Sequence, residues 1–134
     1  MTGELLSVSN LSVAYRQGQG WLRVVDCVSF GIGGGEVLGL VGESGCGKST
    51  VALQLLGFRH PALRVESGEV RFRGRNLIGL QRSDLDQLRG RSISYVPQNP
   101  TTALNPGMRV GSQIAEVLAA HGREPKPDEE GSPV

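Results

Sequence analysis

An α/β fold is what this 134-residue sequence predicts, and three observations carry the prediction. A glycine-rich run, Gly42 to Thr50, stands between two apolar stretches, Val37 to Val41 and Val51 to Leu56. The first has the length of a short buried strand and the second reads as the apolar start of a helix. Upstream, Leu5 to Tyr15 and Val24 to Phe30 read as two strands separated by a polar turn, Arg16 to Gly20. Downstream, Gly68 to Gly74 alternates in the manner of a strand, with Val70 and Phe72 on one face and Arg71 and Arg73 on the other. The 20 glycines are about twice the usual share, which fits a chain of many tight turns better than a helical bundle.

The other elements follow in order. Gly31 to Glu36 makes a tight turn into the strand at Val37, and His60 to Ser67 reads as a loop. Ser83 to Leu88 predicts a short helix capped by Ser83 or Asp84. Ser92 to Val96 predicts a further strand, stopped by Pro97, and Pro100 to Pro106 is loop. In Val110 to His121 the apolar residues Ile114, Val117 and Leu118 recur at helical spacing, and Gly122 ends the helix. Residues 1–122 therefore read as one partial domain. The tail, 123–134, has prolines, acids and no apolar periodicity, and is expected to be disordered.

Composition narrows the function classes. A net charge of +1 argues against nucleic acid or an anionic membrane as direct partner. Residues 59–91 hold eight arginines against four acids, a local excess with no aromatic interleaving beyond Phe72, so a solvated face is the simpler reading and no nucleic acid is expected. Cys27 and Cys46 have no metal or redox spacing and read as free thiols of a reducing compartment. There is no signal-peptide pattern at the start, and no apolar run approaches the ~20 residues that cross a bilayer. The expected location is cytoplasmic, and any place at a membrane must come through a partner.

The glycine-rich run carries the chemistry. Gly42, Gly47, Lys48 and Ser49 occupy every fixed position of G-x-x-x-x-G-K-[ST], in the strand–loop–helix context that a phosphate-binding loop requires. Glycines at 42, 45 and 47 let backbone N–H groups turn inward as an anion-binding nest. The first turn of the following helix adds unpaired N–H groups and the positive end of its dipole. Lys48 supplies a full charge for the β- and γ-phosphates, and the Ser49 hydroxyl suits Mg²⁺, a hard cation that prefers oxygen. The nucleotide contacts expected here are Gly42, Ser44, Gly45, Cys46, Gly47, Lys48, Ser49 and Thr50.

Three further segments resemble one family, the nucleotide-binding domains of ABC transporters. Tyr15, near the end of the first strand, matches an aromatic that the family stacks on adenine. Gly68-Glu69-Val70 with Gly74-Arg75-Asn76-Leu77 is similar to its SGEV…G…L hairpin. Tyr95-Val96-Pro97-Gln98-Asn99-Pro100 is similar to its Q-loop, whose glutamine contacts Mg²⁺ or the attacking water; Gln98 holds that place. Thr101-Thr102-Ala103-Leu104-Asn105-Pro106 resembles the stretch found in dipeptide, oligopeptide and nickel importers. The resemblance implies an N-terminal portion of a P-loop NTPase, with an antiparallel β subdomain and an incomplete parallel core sheet. It implies ATP and Mg²⁺ as cofactors, and as partners membrane-spanning permease subunits and a second ATP-binding subunit. It places the chain at the cytoplasmic face of the membrane.

The resemblance covers residues 5–122. The LSGGQ-like signature, the apolar strand ending in Asp-Glu and the switch histidine have no match in the chain. Glu129 and Glu130 follow no apolar strand, and His60 and His121 stand in the wrong context and are expected to face solvent. The expectation is an ATPase subunit of an importer, here a fragment that binds nucleotide without turning it over alone. A non-hydrolysing regulatory binder and another P-loop enzyme are the alternatives. A GTPase is disfavoured because no N-K-x-D segment occurs.

Overall fold

The structure, a computed structural model, describes residues 3–99, 101 and 103–122. The expected disordered tail, 123–134, and Pro100 and Thr102 lie outside the described residues. The chain divides into two compact units, the first ending at Asp86 and the second beginning at Gln87.

The first unit is built on strands β1 (Glu4–Gln17) and β2 (Gly20–Gly33), joined by a turn at Gly18 and Gln19. Helix α1 (Lys48–Gln54) follows the glycine-rich loop. Then come β3 (Leu63–Phe72), β4 (Arg75–Asn76) and helix α2 (Arg82–Leu88), which carries the chain into the second unit. The four strands form one sheet in the order β2-β1-β3-β4, antiparallel throughout. The central strand β1 supplies most of the core. Leu6, Val8, Leu11, Val13 and Ala14 are buried there, joined by Val25, Val70, Phe72 and Leu77, by Val51 of α1 and by Leu85 of α2.

The sheet bends where β1 changes register between Ser9 and Ser12. Asn10 has φ 48° at this bulge, and its freed polar groups find side-chain partners. Ser29 Oγ accepts the Asn10 N–H at 2.8 Å, and Ser67 Oγ donates to the Asn10 carbonyl at 3.3 Å. Gly68, at φ 92°, lies so close to the Asn10 carbonyl and Leu11 Cα that a Cβ there would collide with backbone. Glycine is thus required at the start of the alternating segment.

The antiparallel part of the expected fold is present and longer than the sequence indicates. Residues 63–67, expected as loop, are strand, because Leu63 and Val65 pair with β1 at Tyr15 and Val13. The cap of α2 also differs. The helix starts at Arg82, and the Gln81 carbonyl accepts the N–H groups of Asp84 and Leu85, both at 3.1 Å. Ser83 and Asp84 lie inside the first turn.

The parallel part departs from expectation. Val37 to Val41 is not a strand, and Val37 and Val41 are 98% and 95% exposed. A strand of a parallel sheet is stabilised by neighbours on both edges and cover on both faces. No strand among the described residues pairs with this segment, so its β propensity has nothing to act through. The same holds for Ser92 to Val96 in the second unit, where only the parallel bridge Arg89↔Ile93 forms and Val96 is exposed.

The second unit holds helix α3 (Val110–Ala120). Gln113 ties its start to the preceding turn, accepting the Asn105 N–H at 2.9 Å and donating to the carbonyls of Asn105 and Met108, each at 3.0 Å. Val110, Ile114 and Val117, on the helix's apolar side, are exposed. No helix among the described residues is long and apolar enough to cross a membrane.

Candidate functional site

The sequence between Gly42 and Thr50 folds as a loop that ends directly in α1. Gly47 is the N-cap, with φ 93° and ψ 4°, in the left-handed region where a side chain is strained. It is also pressed against β2, since a Cβ at Gly47 would lie 2.6 Å from the Val24 carbonyl oxygen and 3.3 Å from Val25 Cγ2. Two separate constraints therefore demand glycine at the point where loop becomes helix. They also fix the loop to the edge of the sheet that carries the core.

No side chain caps α1. Val51 N–H, bonded to the Gly47 carbonyl at 2.9 Å, is the first to find a helical acceptor. The amides of Lys48, Ser49 and Thr50 precede it and have the open geometry of a helix start. Ser49 is exposed and Thr50 half-buried, so both hydroxyls stand at this end of the helix.

Lys48 reaches back over the loop. Its ammonium donates to the carbonyls of Gly42 and Glu43, each at 2.6 Å, and lies 3.3 Å from Cys46 Sγ. The side chain thus closes the nest that its own loop forms. A polyphosphate entering the nest exchanges these carbonyl contacts for charged oxygens, which bond an ammonium more strongly. Cys46 Sγ also sits over Gly42, where a Cβ would meet it at 2.5 Å. The arrangement suits an anion that takes many backbone N–H groups and one ammonium, and the Ser49 hydroxyl beside it fits a hard cation accompanying that anion.

Tyr15 lies in the same unit. It pairs with Leu22 of β2 and Leu63 of β3, and is 38% exposed. The place of Leu22 opposite Tyr15 is set by the turn at Gly18 and Gln19.

Gln98 is exposed and lies in the second unit. The histidines differ from each other. His60 is exposed, stacks on Phe58 at 6.3 Å and accepts the Ala62 N–H at Nδ1. His121 is half-buried at the end of α3, against Gly90, rather than solvent-facing as expected. Much of the arginine excess is engaged within the unit. Arg64 and Arg23 bond Glu66, both at 2.8 Å, Arg71 bonds Glu69 at 2.6 Å, and Arg64 lies over the Trp21 ring at 4.4 Å. Among the described residues no cluster of His, Cys, Asp and Glu is arranged to hold a metal by itself.

The family described as ABC transporter matches residues 25–130, which include the loop, α1 and the segment around Gln98. This chain belongs to the ABC transporter family. It is 46% identical over 127 residues to a Brucella melitensis protein named provisionally as a peptide import ATP-binding protein, covering 92% of this chain and 38% of that protein. It is 39% identical over 120 residues to the dipeptide transport ATP-binding protein of Lactococcus lactis, covering 90% and 34%. It is 42% identical over 117 residues to the oligopeptide transport ATP-binding protein of Escherichia coli, covering 87% and 34%. The chain thus spans little more than a third of the length of the curated relatives it matches. The loop from Gly42 to Thr50 and helix α1 fall within the matched residues, and residues 37–41 before the loop are not a strand.

Proposed function

We propose that this chain is the nucleotide-binding part of an energising subunit for a peptide importer, and that it holds MgATP at Gly42 to Thr50. The observation that carries the reading is the Lys48 ammonium drawn into its own glycine loop beside the open start of α1. The names of the relatives, which concern peptide, dipeptide and oligopeptide transport, support the solute class. Lys48 and the loop amides take the β- and γ-phosphates. Ser44, Gly45, Cys46 and Thr50 complete the cradle, Ser49 holds Mg²⁺, and Tyr15 stacks on adenine. Gln98 senses the nucleotide and reports to permease subunits at the cytoplasmic face of the membrane, where a second ATP-binding subunit completes the assembly. Mg²⁺ supplies charge neutralisation to the phosphates.

Phosphoryl transfer rests on positioning and on electrostatic stabilisation of spread charge. The sequence holds the cradle, Lys48 and Ser49. It has no LSGGQ-like segment and no apolar run ending in Asp-Glu. Removing a single stabilising donor costs about 10²–10³-fold in a comparable setting. The chain alone is therefore expected to bind MgATP and to release phosphate at background rate. A sensitive phosphate-release assay tests this: turnover that disappears in Lys48→Ala contradicts the inactive-alone reading.

A further inference from the structure

We infer that a cavity of about 410 Å³ at the end of α1 is a binding site for a small aromatic carboxylate whose ring carries an N–H or O–H donor. The cavity lies wholly within the first unit, and none of its lining residues belongs to Gly42 to Thr50. Its size and its largely apolar lining are those of a small-molecule site.

The chain builds this hollow where the helix stops. Gly57, at φ 62°, turns the backbone out of α1. Its N–H bonds the Gln54 carbonyl at 2.9 Å, while the Phe58 N–H reaches back to the Leu53 carbonyl at 3.1 Å. Residues 58–61 lead from there to β3 and rim the cavity. Exposure orders the lining by depth. Gln54 and Leu77, at 2% and 0% exposed, form the floor. Leu63, Val65 and Ile78 are half-buried walls, and Arg59, His60 and Pro61 are exposed at the mouth.

Polar groups at the two ends of this apolar lining set what it accepts. At the floor, the Gln54 side chain donates an N–H to the Phe58 carbonyl at 3.4 Å. A carbonyl only accepts, so the amide turns its NH₂ there and leaves its oxygen for another donor. No described residue donates to that oxygen. Yet no buried polar side-chain atom among the described residues lacks a partner, so the oxygen is open to the cavity rather than sealed. At the mouth, Arg59 donates to the Leu80 carbonyl and pairs with no carboxylate among the described residues. The rest of its guanidinium fork suits a carboxylate, and no acidic side chain lines the cavity to compete. His60 adds a donor, because its Nδ1 accepts the Ala62 N–H at 3.1 Å and the neutral ring then carries its proton on Nε2. An aromatic body fills the space between the walls, its ring donor meets Gln54, and its carboxylate meets Arg59.

The probe is indolepropionate, titrated into the full chain by calorimetry. Saturable binding is expected, and saturating MgATP is expected not to displace it. Indolepropionamide, which lacks the charge, is expected to bind about tenfold or more weakly, and naphthalenepropionate, which lacks the N–H, about three- to tenfold more weakly. Arg59→Gln is expected to erase the first difference and Gln54→Met the second. Ile78→Phe, which fills the hollow, is expected to remove binding and keep the melting temperature. Absence of saturable binding, displacement by MgATP, equal affinity for acid and amide, or full affinity in Ile78→Phe overturns the inference. Should Gln54→Met fail to fold, wild-type protein still decides the floor contact: equal affinity for the indole and naphthalene acids overturns it.

Discussion

Lys48 is the residue on which the proposed nucleotide binding turns. Its ammonium is held by two carbonyls at 2.6 Å, so it is already placed in the loop and needs only to exchange partners. Hydrogen bonds to charged groups are worth about 1.5–3 kcal/mol, so Lys48→Ala is expected to lower MgATP affinity by about tenfold or more while leaving the melting temperature nearly unchanged. Titration of wild-type and variant protein measures this directly. Cys46 gives a second probe, since its exposed thiol lies 3.3 Å from the same ammonium. Alkylation of Cys46 is expected to slow when MgATP fills the loop, and labelling at an unchanged rate contradicts contact there. Gly47 tests the geometry rather than the charge. With φ at 93° and the Val24 carbonyl in the way, Gly47→Ala costs about 1–2 kcal/mol from the backbone conformation alone, with more from the collision. A lowered melting temperature together with lost nucleotide binding is the expected outcome.

The antiparallel strands were legible because their information is local. Alternation at Val70 and Phe72 marks β3 from its own residues, although its partner β1 lies far off in the chain, and the glycines around the β1–β2 turn join two strands adjacent in the chain. The bulge at Asn10 and the extension of β3 back to Leu63 were not legible, because both depend on the register between strands. Nor was the pairing of Arg23 on β2 with Arg64 and Glu66 on β3. The Arg64 guanidinium, with Arg23 beside it, holds the Glu66 carboxyl below the ordinary glutamate value. A depressed folded-state pKa contributes stability above the unfolded pKa and loses it as pH falls through the folded value. Glu66→Gln is therefore expected to lower the melting temperature slightly near neutral pH, with the difference vanishing in acid. A difference that grows in acid contradicts the pairing. Because the groups are at the surface, the effect should also shrink in high salt.

At the scale of the whole molecule, the predicted core strand at Val37 to Val41 shows where sequence reading meets its limit. Its apolar run is clear, yet the segment stays open because a parallel strand takes its structure from neighbours rather than from itself. Val37, Val41 and Val96, with Ile114 and Val117 of α3, leave large apolar side chains at the surface. Such surface favours association, so the isolated chain is expected to bind hydrophobic dyes and to self-associate as its concentration rises. Monomeric sizing with a sharp, cooperative melt contradicts this. The loop proposed to hold phosphate escapes the limit, because its glycines, its lysine and the first turn of α1 are contiguous in the chain and their geometry is set locally. The account stands or falls on that loop. Calorimetry of folded wild-type protein with MgATP tests it most directly: a saturable heat whose affinity Lys48→Ala lowers by about tenfold or more is the predicted result, and the absence of any heat from folded wild-type chain is the result that contradicts it.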